Sequence, residues 1–347
     1  MWKSNGHNAL LERHPETHVN VLIVGAGVGG LMTALECWRK GHNIVGILER
    51  NKGPDCDLIV VQPSAMSTMR HCPDMCRDLE EDRVDIPEYY WKHNGELIFG
   101  PAEAGFNYPE LLADREGLPY LGAVQTRKKF YLILLRQVAK LGFEYVKRVE
   151  RYFEDEATGL GGGMVVEDGS VRVAHIVVAA DASKSRLELL IASQYTSAQS
   201  SGPGIHMEVY ISPDFVALGA TPRRGFLAAG SSEARESWDT NIDPRGSPQG
   251  TWTSIGGRVV QIGDAAHFNV PTSASCGTLA LEDAITLASC LQLSYCNQKV
   301  ASVNSQGLNS ISKKKDAIKK DPKKVRLRFP KWFFRPDPEA YAYEKYG

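Results

Sequence analysis

Three glycines set the first chemical possibility. Gly25-x-Gly27-x-x-Gly30 stands between the apolar run Val21–Val24 and LMTALECWRKG, whose apolar residues recur at helical spacing. In such a turn the first glycine allows the tight bend, and the second lets a pyrophosphate approach bare backbone. The third lets a helix pack closely on a strand. The phosphates then face the free N–H groups and positive dipole end of a helix start. Glu49, 24 positions after Gly25, closes a second apolar run, NIVGILER. A carboxylate there accepts hydrogen bonds from an adenosine ribose. The set reads as a dinucleotide site, and a ligand-free glycine turn in an α/β fold is the plain alternative.

Two further acids end apolar runs. GDAAH (Gly263–His267) follows RVVQI and precedes TLALEDA (Thr278–Ala284), which opens a helix. A strand, an acid and a helix start describe an anion or polyol site built on Asp264; otherwise Asp264 is a helix cap. His267 reads as a packed turn residue. In VVAADASKSR (Val177–Arg186) the apolar run ends in Asp181. Cys72 and Cys76 have one-turn spacing, but no second pair accompanies them, so no zinc site is expected. Trp91, Trp238 and Trp252 suit either a pocket wall or a packed core.

The elements that must position these residues follow from periodicity. Strand, glycine turn, helix ending at Gly41, and strand NIVGILER make a βαβ unit with parallel strands. Arg127–Lys140 is an amphipathic helix. Strands are expected at Glu144–Arg151, Gly163–Glu167 and Val171–Val178, the last two joined by a turn at Glu167-Asp168-Gly169. Short strands punctuated by Pro and Gly are expected from Ile205 to Gly230. Residues 231–257 read as loop, Arg258–Ile262 as a strand and Thr278–Leu293 as a helix. Lys313–Lys331 is basic and reads as a solvated tail; PDPEAYAYEKYG closes with a short helix.

Composition bounds the rest. The chain has 347 residues, 43% hydrophobic and 23% charged, which suits about two packed domains rather than a disordered chain. Forty basic against 41 acidic residues leave a net charge of −1. That balance gives no electrostatic reason to expect nucleic acid as a partner. Seven cysteines, odd in number and irregularly spaced, suit free thiols in a reducing compartment. No signal peptide and no membrane-length apolar run is visible, so a cytoplasmic protein is expected.

Taken in order, the three motifs resemble those of the FAD-dependent aromatic hydroxylases, the monooxygenases similar to para-hydroxybenzoate and salicylate hydroxylases. GDAAHFNVPTSAS, TLALEDAITLASCLQL, VQTRKKFYLILLRQVAKLG and DPEAYAYEKYG look most like the branch of fungal secondary metabolism. The resemblance implies a Rossmann-type α/β FAD-binding domain with a smaller, mostly antiparallel substrate sheet inserted. It implies Gly25, Gly27 and Gly30 at the FAD pyrophosphate and Glu49 at the adenine-side ribose. Arg127 would reach the FAD, Asp264 the ribityl and pyrophosphate region, and Gly277 the isoalloxazine through its backbone. Asp181 would contact NAD(P)H or FAD. No side-chain nucleophile is required, and no catalytic side chain is named. The implied reaction uses NADPH or NADH and O₂ to hydroxylate a phenolic or polyketide-derived aromatic, with the flavin performing the redox chemistry.

The expected layout is a flexible N-terminus (1–17) and a discontinuous FAD-binding domain (18–59, 126–186 and 258–293). A substrate-binding region (60–125 and 187–257) and a basic C-terminal segment (294–347) complete it. Several positions depart from the family pattern. Its Asp-Gly is Asp181-Ala182 here, its glycine-rich flavin loop is Ala274-Ser275-Cys276, and the Gly-x-Gly after the ribose acid is replaced within CDLIVVQ. No arginine follows Ser201-Gly202, and the 76 residues between Arg186 and Gly263 are short for the family. Two other readings stay open: a FAD-binding relative with impaired catalysis, and a NAD-dependent dehydrogenase.

Overall fold

A computed structural model describes residues 12–50, 58–81, 87–91, 94–107, 122–142, 149–165, 169–182, 185, 187, 190, 209–210, 237–238, 252–254, 256–267, 275–293 and 337–346. Residues 205–208, most of 211–257, Ser201-Gly202, Ala274, the Glu167-Asp168 turn and the basic run Lys313–Lys331 lie outside the described residues.

The centre is a parallel sheet. Its strands are β1 (Asn20–Val24), β2 (Asn43–Leu48), β10 (Ile176–Ala179) and β13 (Val259–Gln261), in the order β13-β10-β1-β2. Val21–Val24 pair in register with Ile176–Ala179 on one side and run beside β2 on the other. Val21, Leu22 and Ile23 are fully buried, as continuous apolar strands covered on both faces must be. Helix α1 (Val28–Arg39) leaves β1 through the glycine turn and ends before Gly41, whose φ of +86° suits a residue without a Cβ.

Helices α2 (Pro63–Thr68), α3 (Pro73–Glu81), α4 (Arg127–Ala139) and α5 (Cys276–Leu293) cover the sheet with α1. Leu31, Leu35, Met69, Met75, Phe130, Leu134, Leu281 and Ile285 share one core with Val21 and Ile23. Each such side chain, fully buried, is worth roughly 1.5–3 kcal/mol. Residues 65–79, placed by sequence in the substrate region, thus send their apolar side chains into the same core as the glycine turn's helix. The closing helix α6 (Pro338–Tyr346) also packs on α5 and α2.

Antiparallel pieces flank this body. They are β3 (Leu58–Val61) with β6 (Ala123–Thr126), β4 (Glu88–Trp91) with β5 (Leu97–Ala102), and the sheet β7 (Val149–Asp155), β8 (Leu160–Val165), β9 (Val171–Ala174). A two-residue pair joins β11 (Val209–Tyr210) and β12 (Ser237–Trp238). Sequence periodicity predicts one strand over Val171–Val178; the structure has two. Ala174 pairs with Gly161 in the antiparallel sheet, and Ile176 pairs with Val21 in the parallel one. His175 marks the break, its Nδ1 accepting the Asn20 N–H at 2.9 Å. The strand expected from Glu144 starts at Val149 among the described residues, and its partner runs from Leu160 rather than Gly163. Gly161 and Gly162 lie inside that partner because Cβ atoms there would meet Arg258 and the Phe153 ring.

Candidate functional site

The glycine turn lies at the carboxyl end of β1, where α/β sheets bind ligands. Gly25 has φ +104°, and a Cβ there would lie 2.2 Å from the Ala180 carbonyl oxygen of the neighbouring strand's exit. Gly30 is closed in the same way: a Cβ would lie 1.8 Å from the Gly25 carbonyl oxygen. Gly27 differs, since among the described residues a Cβ at that position would meet nothing within 4 Å. It is the N-cap of α1, no side chain caps the helix there, and no acid stands in the first turn. An unblocked cationic dipole end beside open space fits an anionic phosphate group.

Glu49 follows β2 directly. Its Oε2 accepts the Ala26 N–H at 2.6 Å, so the carboxylate ties the end of β2 to the glycine turn. Tyr131 of α4 stands near it; burial first, and then the Glu49 charge, push its phenol up.

Asp264 sits in a short 3₁₀ turn, Gly263–Ala265, after β13. Burial pushes its carboxyl up, opposed by the positive groups His267 and Arg127 and reinforced by Asp283. Arg127, at the start of α4, and Asp264, 137 positions later, therefore share one electrostatic neighbourhood. The helix start is fixed by Thr126, whose Oγ1 accepts the Lys129 N–H.

His267 is 3% exposed. Its Nε2 lies 2.5 Å from Asp283 Oδ2 on α5, and the Trp252 ring meets it edge-on at 6.0 Å. Burial pulls the imidazole down, but the Asp283 charge and hydrogen bond, with Asp264 behind them, lift it above its ordinary value. Sequence reading left Asp283 out altogether. The only signal was its place about two turns into an apolar helix, where an acid turned toward the core needs a partner.

The start of α5 is stitched to β3. The Gln62 N–H donates to Thr278 Oγ1 at 3.0 Å, and that hydroxyl donates to the Val60 carbonyl at 3.1 Å. Gln62 Nε2 donates to Ser275 Oγ at 3.1 Å. Ser275, in the stretch that replaces the family's glycine-rich loop, has its hydroxyl buried against Gln62. Gly277 lets α5 press on β3, since a Cβ there would lie 2.5 Å from the Ile59 side chain.

Asp181 leaves the carboxyl end of β10 beside the glycine turn. Tyr152 of β7 is buried next to it, and burial and the Asp181 charge raise that phenol well above its usual value. Ala182 has φ +66°, the left-handed region a glycine would occupy freely.

Gly25, Gly27, Gly30, Glu49, Asp181 and Asp264 thus gather at the carboxyl ends of adjacent parallel strands, with Arg127, at the start of α4, near enough for its charge to act on Asp264. An open glycine turn, a carboxylate at the end of β2, and a half-buried acid within the field of an arginine fit a flavin dinucleotide. Among the described residues no group of His, Cys, Asp and Glu could hold a metal ion, and no helix is long and apolar enough to cross a membrane.

No protein-family profile matches the chain. Among curated proteins it is 46% identical to the FAD-dependent monooxygenase AacuC of Aspergillus aculeatus, over 96% of this chain and 85% of that one. It is 42% identical to the FAD-dependent monooxygenase mdpD of Emericella nidulans, over 99% and 85% respectively. The first alignment runs over 437 positions while the chain has 347 residues, so at least 90 (437 − 347) of those positions face no residue here. Among solved structures, FqzB matches with a TM-score of 0.70 at 20% identity, over 97% of this chain and 94% of that one. CtdE in complex with FAD and substrate 4 matches with 0.68 at 23%, over 94% and 98%. Those two likenesses show the fold. The identities to the curated relatives, held across nearly the whole chain, show the family: the chain belongs to the FAD-dependent monooxygenases.

Proposed function

We propose that the protein is a Rossmann-type flavoenzyme that uses NADPH or NADH and O₂ to hydroxylate a phenolic or polyketide-derived aromatic in secondary-metabolite biosynthesis. The observation that carries this reading is the convergence of the open Gly27 turn, Glu49 and Asp264 at one end of the parallel sheet, with the Arg127 charge acting on Asp264. Gly25 and Gly30 shape the turn, and Gly27 with the first turn of α1 receives the pyrophosphate. Glu49 takes the adenine-side ribose while its Oε2 steadies the turn. Arg127 and Asp264 hold phosphate and ribityl oxygens, where a guanidinium suits charge-assisted contacts. The backbone at Gly277 would meet the isoalloxazine. Asp181, at the neighbouring strand end, faces the dinucleotide path of FAD or NAD(P)H.

When bound, FAD supplies the electron transfer and oxygen activation. The protein's part is to hold it, exclude water and orient the ring of the substrate. The antiparallel pieces β3–β6, β4–β5 and β11–β12 supply the substrate region, and the 187–257 segment is its shortened part. The enzyme works as a cytoplasmic protein on small molecules, without a nucleic-acid partner.

The test is direct. Purified protein should be yellow, release FAD on denaturation, and oxidise NADPH or NADH faster when phenolic aromatics are added, with a hydroxylated product by mass spectrometry. Colourless protein with unaccelerated NAD(P)H oxidation across a phenol panel would reject the reading.

A further inference from the structure

The turn that presents Asp264 is only a few residues long. Its 3₁₀ segment covers Gly263–Ala265, closed by backbone bonds from Ala266 N–H and His267 N–H to the Gly263 carbonyl, both 2.9 Å. Single 3₁₀ turns have poor hydrogen-bond geometry and little stiffness of their own. Gly263, moreover, holds φ +58°. What fixes the turn comes from outside it. One oxygen, Asp283 Oδ2, accepts the Gly263 N–H at 2.8 Å and lies 2.5 Å from His267 Nε2. The first and last residues of GDAAH are thus tied to the same carboxylate on α5.

We propose that Asp283 and His267 are positioning residues for flavin binding, a clamp that fixes the turn presenting the Asp264 carboxylate. This rests on the reading that Asp264 holds FAD. Charge supports the geometry. Asp283 faces His267 from α5, Asp264 from the turn itself, and Arg127 opposes Asp264 from α4. Trp252 covers the ring and carries no charge. With a neutral imidazole these groups sum to −1, beside a ligand whose pyrophosphate is itself anionic. With an imidazolium they sum to zero. Asp283 and Asp264 outweigh burial in favouring the imidazolium. The clamp is therefore strongest at lower pH and weakens as the pH rises through the His267 titration.

The experiment measures FAD released from the diluted holoprotein between pH 6 and 9, for wild type, Asp264→Asn, Asp283→Asn and His267→Gln, with apo-protein melting recorded for each. Gln can still donate to Asp283, and Asn can still accept from Gly263, so both variants keep the shape and lose the charge. Each should hold FAD about tenfold more weakly at neutral pH, the scale of one lost charge-assisted hydrogen bond. Wild type should lose affinity with rising pH, and His267→Gln should show no such slope. If Asp264→Asn weakens binding while the two clamp variants bind as wild type does, the clamp is wrong and the Asp264 reading stands. Unchanged affinity in Asp264→Asn overturns both. If a clamp variant melts far below wild type, the wild-type profile decides: a flat line across the range rejects the proposal, and a fall through the histidine titration supports it.

Discussion

Ala182 occupies left-handed backbone at φ +66°, which costs an L-residue roughly 1–2 kcal/mol. Ala182→Gly relieves that cost but gives the unfolded chain more freedom to lose. The balance favours glycine, and the variant should unfold at higher urea by roughly 0.5–1 kcal/mol. A lower midpoint would show that the methyl is held by contacts that outweigh its strain. Glu49 carries a separate prediction. Its carboxylate ties Ala26 N–H to the end of β2 while facing the ribose side of the turn. Glu49→Ala should weaken FAD binding by roughly 1–3 kcal/mol, read by equilibrium dialysis, and Glu49→Gln should lose less because it keeps an acceptor for Ala26.

At the scale of elements, α6 is latched by charge. Glu339 is buried, and its carboxylate receives Lys40, lies 3.0 Å from Arg39 Nη2 and accepts from His71 Nε2 at 2.7 Å. Asp337 caps the same helix, accepting the Glu339 and Ala340 N–H groups, and pairs with Arg70 at 2.6 Å. Burial pushes the Glu339 carboxyl up, but His71, Lys40 and Arg39 outweigh it and hold it far below its ordinary 4.5. A carboxylate depressed by folding adds stability that is fully present above its unfolded value. That stability is lost as the pH falls from about 4.5 through the folded value. Glu339→Gln should therefore cost roughly 3 kcal/mol in urea at neutral pH, since it takes a carboxylate charge away from the buried Lys40 and Arg39. The difference from wild type should shrink in acid. A constant difference from neutral pH to pH 3 would mean that the charge is not what holds α6.

For the whole molecule, the proposed FAD site joins four distant stretches: the turn after β1 with Glu49, the start of α4 with Arg127, the exit of β10, and the β13–α5 junction. A ligand that binds only when all are assembled stabilises the folded chain by mass action. At about one hundred times its dissociation constant, FAD should add about 2.7 kcal/mol, seen as a higher melting temperature. NAD at the same concentration should leave melting unchanged; the reverse order would point to a dehydrogenase site. The start of α5 adds a test of coupling. Ala274→Gly with Cys276→Gly should tighten FAD binding and lower the peroxide released per NADPH, because glycine brings backbone closer to the ring. If both quantities stay the same, the altered loop is not what limits turnover.

The sequence by itself determined what depends on neighbours along the chain. The Gly25–Gly30 turn, helices α1, α4 and α5, and β1, β2 and β13 are legible because apolar period, glycine and capping residues act within a few positions. The resemblance to FAD-dependent monooxygenases was legible too, because its motifs are contiguous. Tertiary structure alone decided what depends on which surfaces meet. Val171–Val178 reads as one apolar strand, yet Ala174 and Ile176 belong to different sheets because each finds a different partner across the fold. Glu339 and Lys40, 299 positions apart, form one buried pair, and Gln62 meets Ser275 across 213. Asp283 looked like any acid on a helix until packing set it under Gly263 and His267. Spacing records the local period of a chain, while a buried polar group is satisfied by whatever the packed core brings within hydrogen-bond reach.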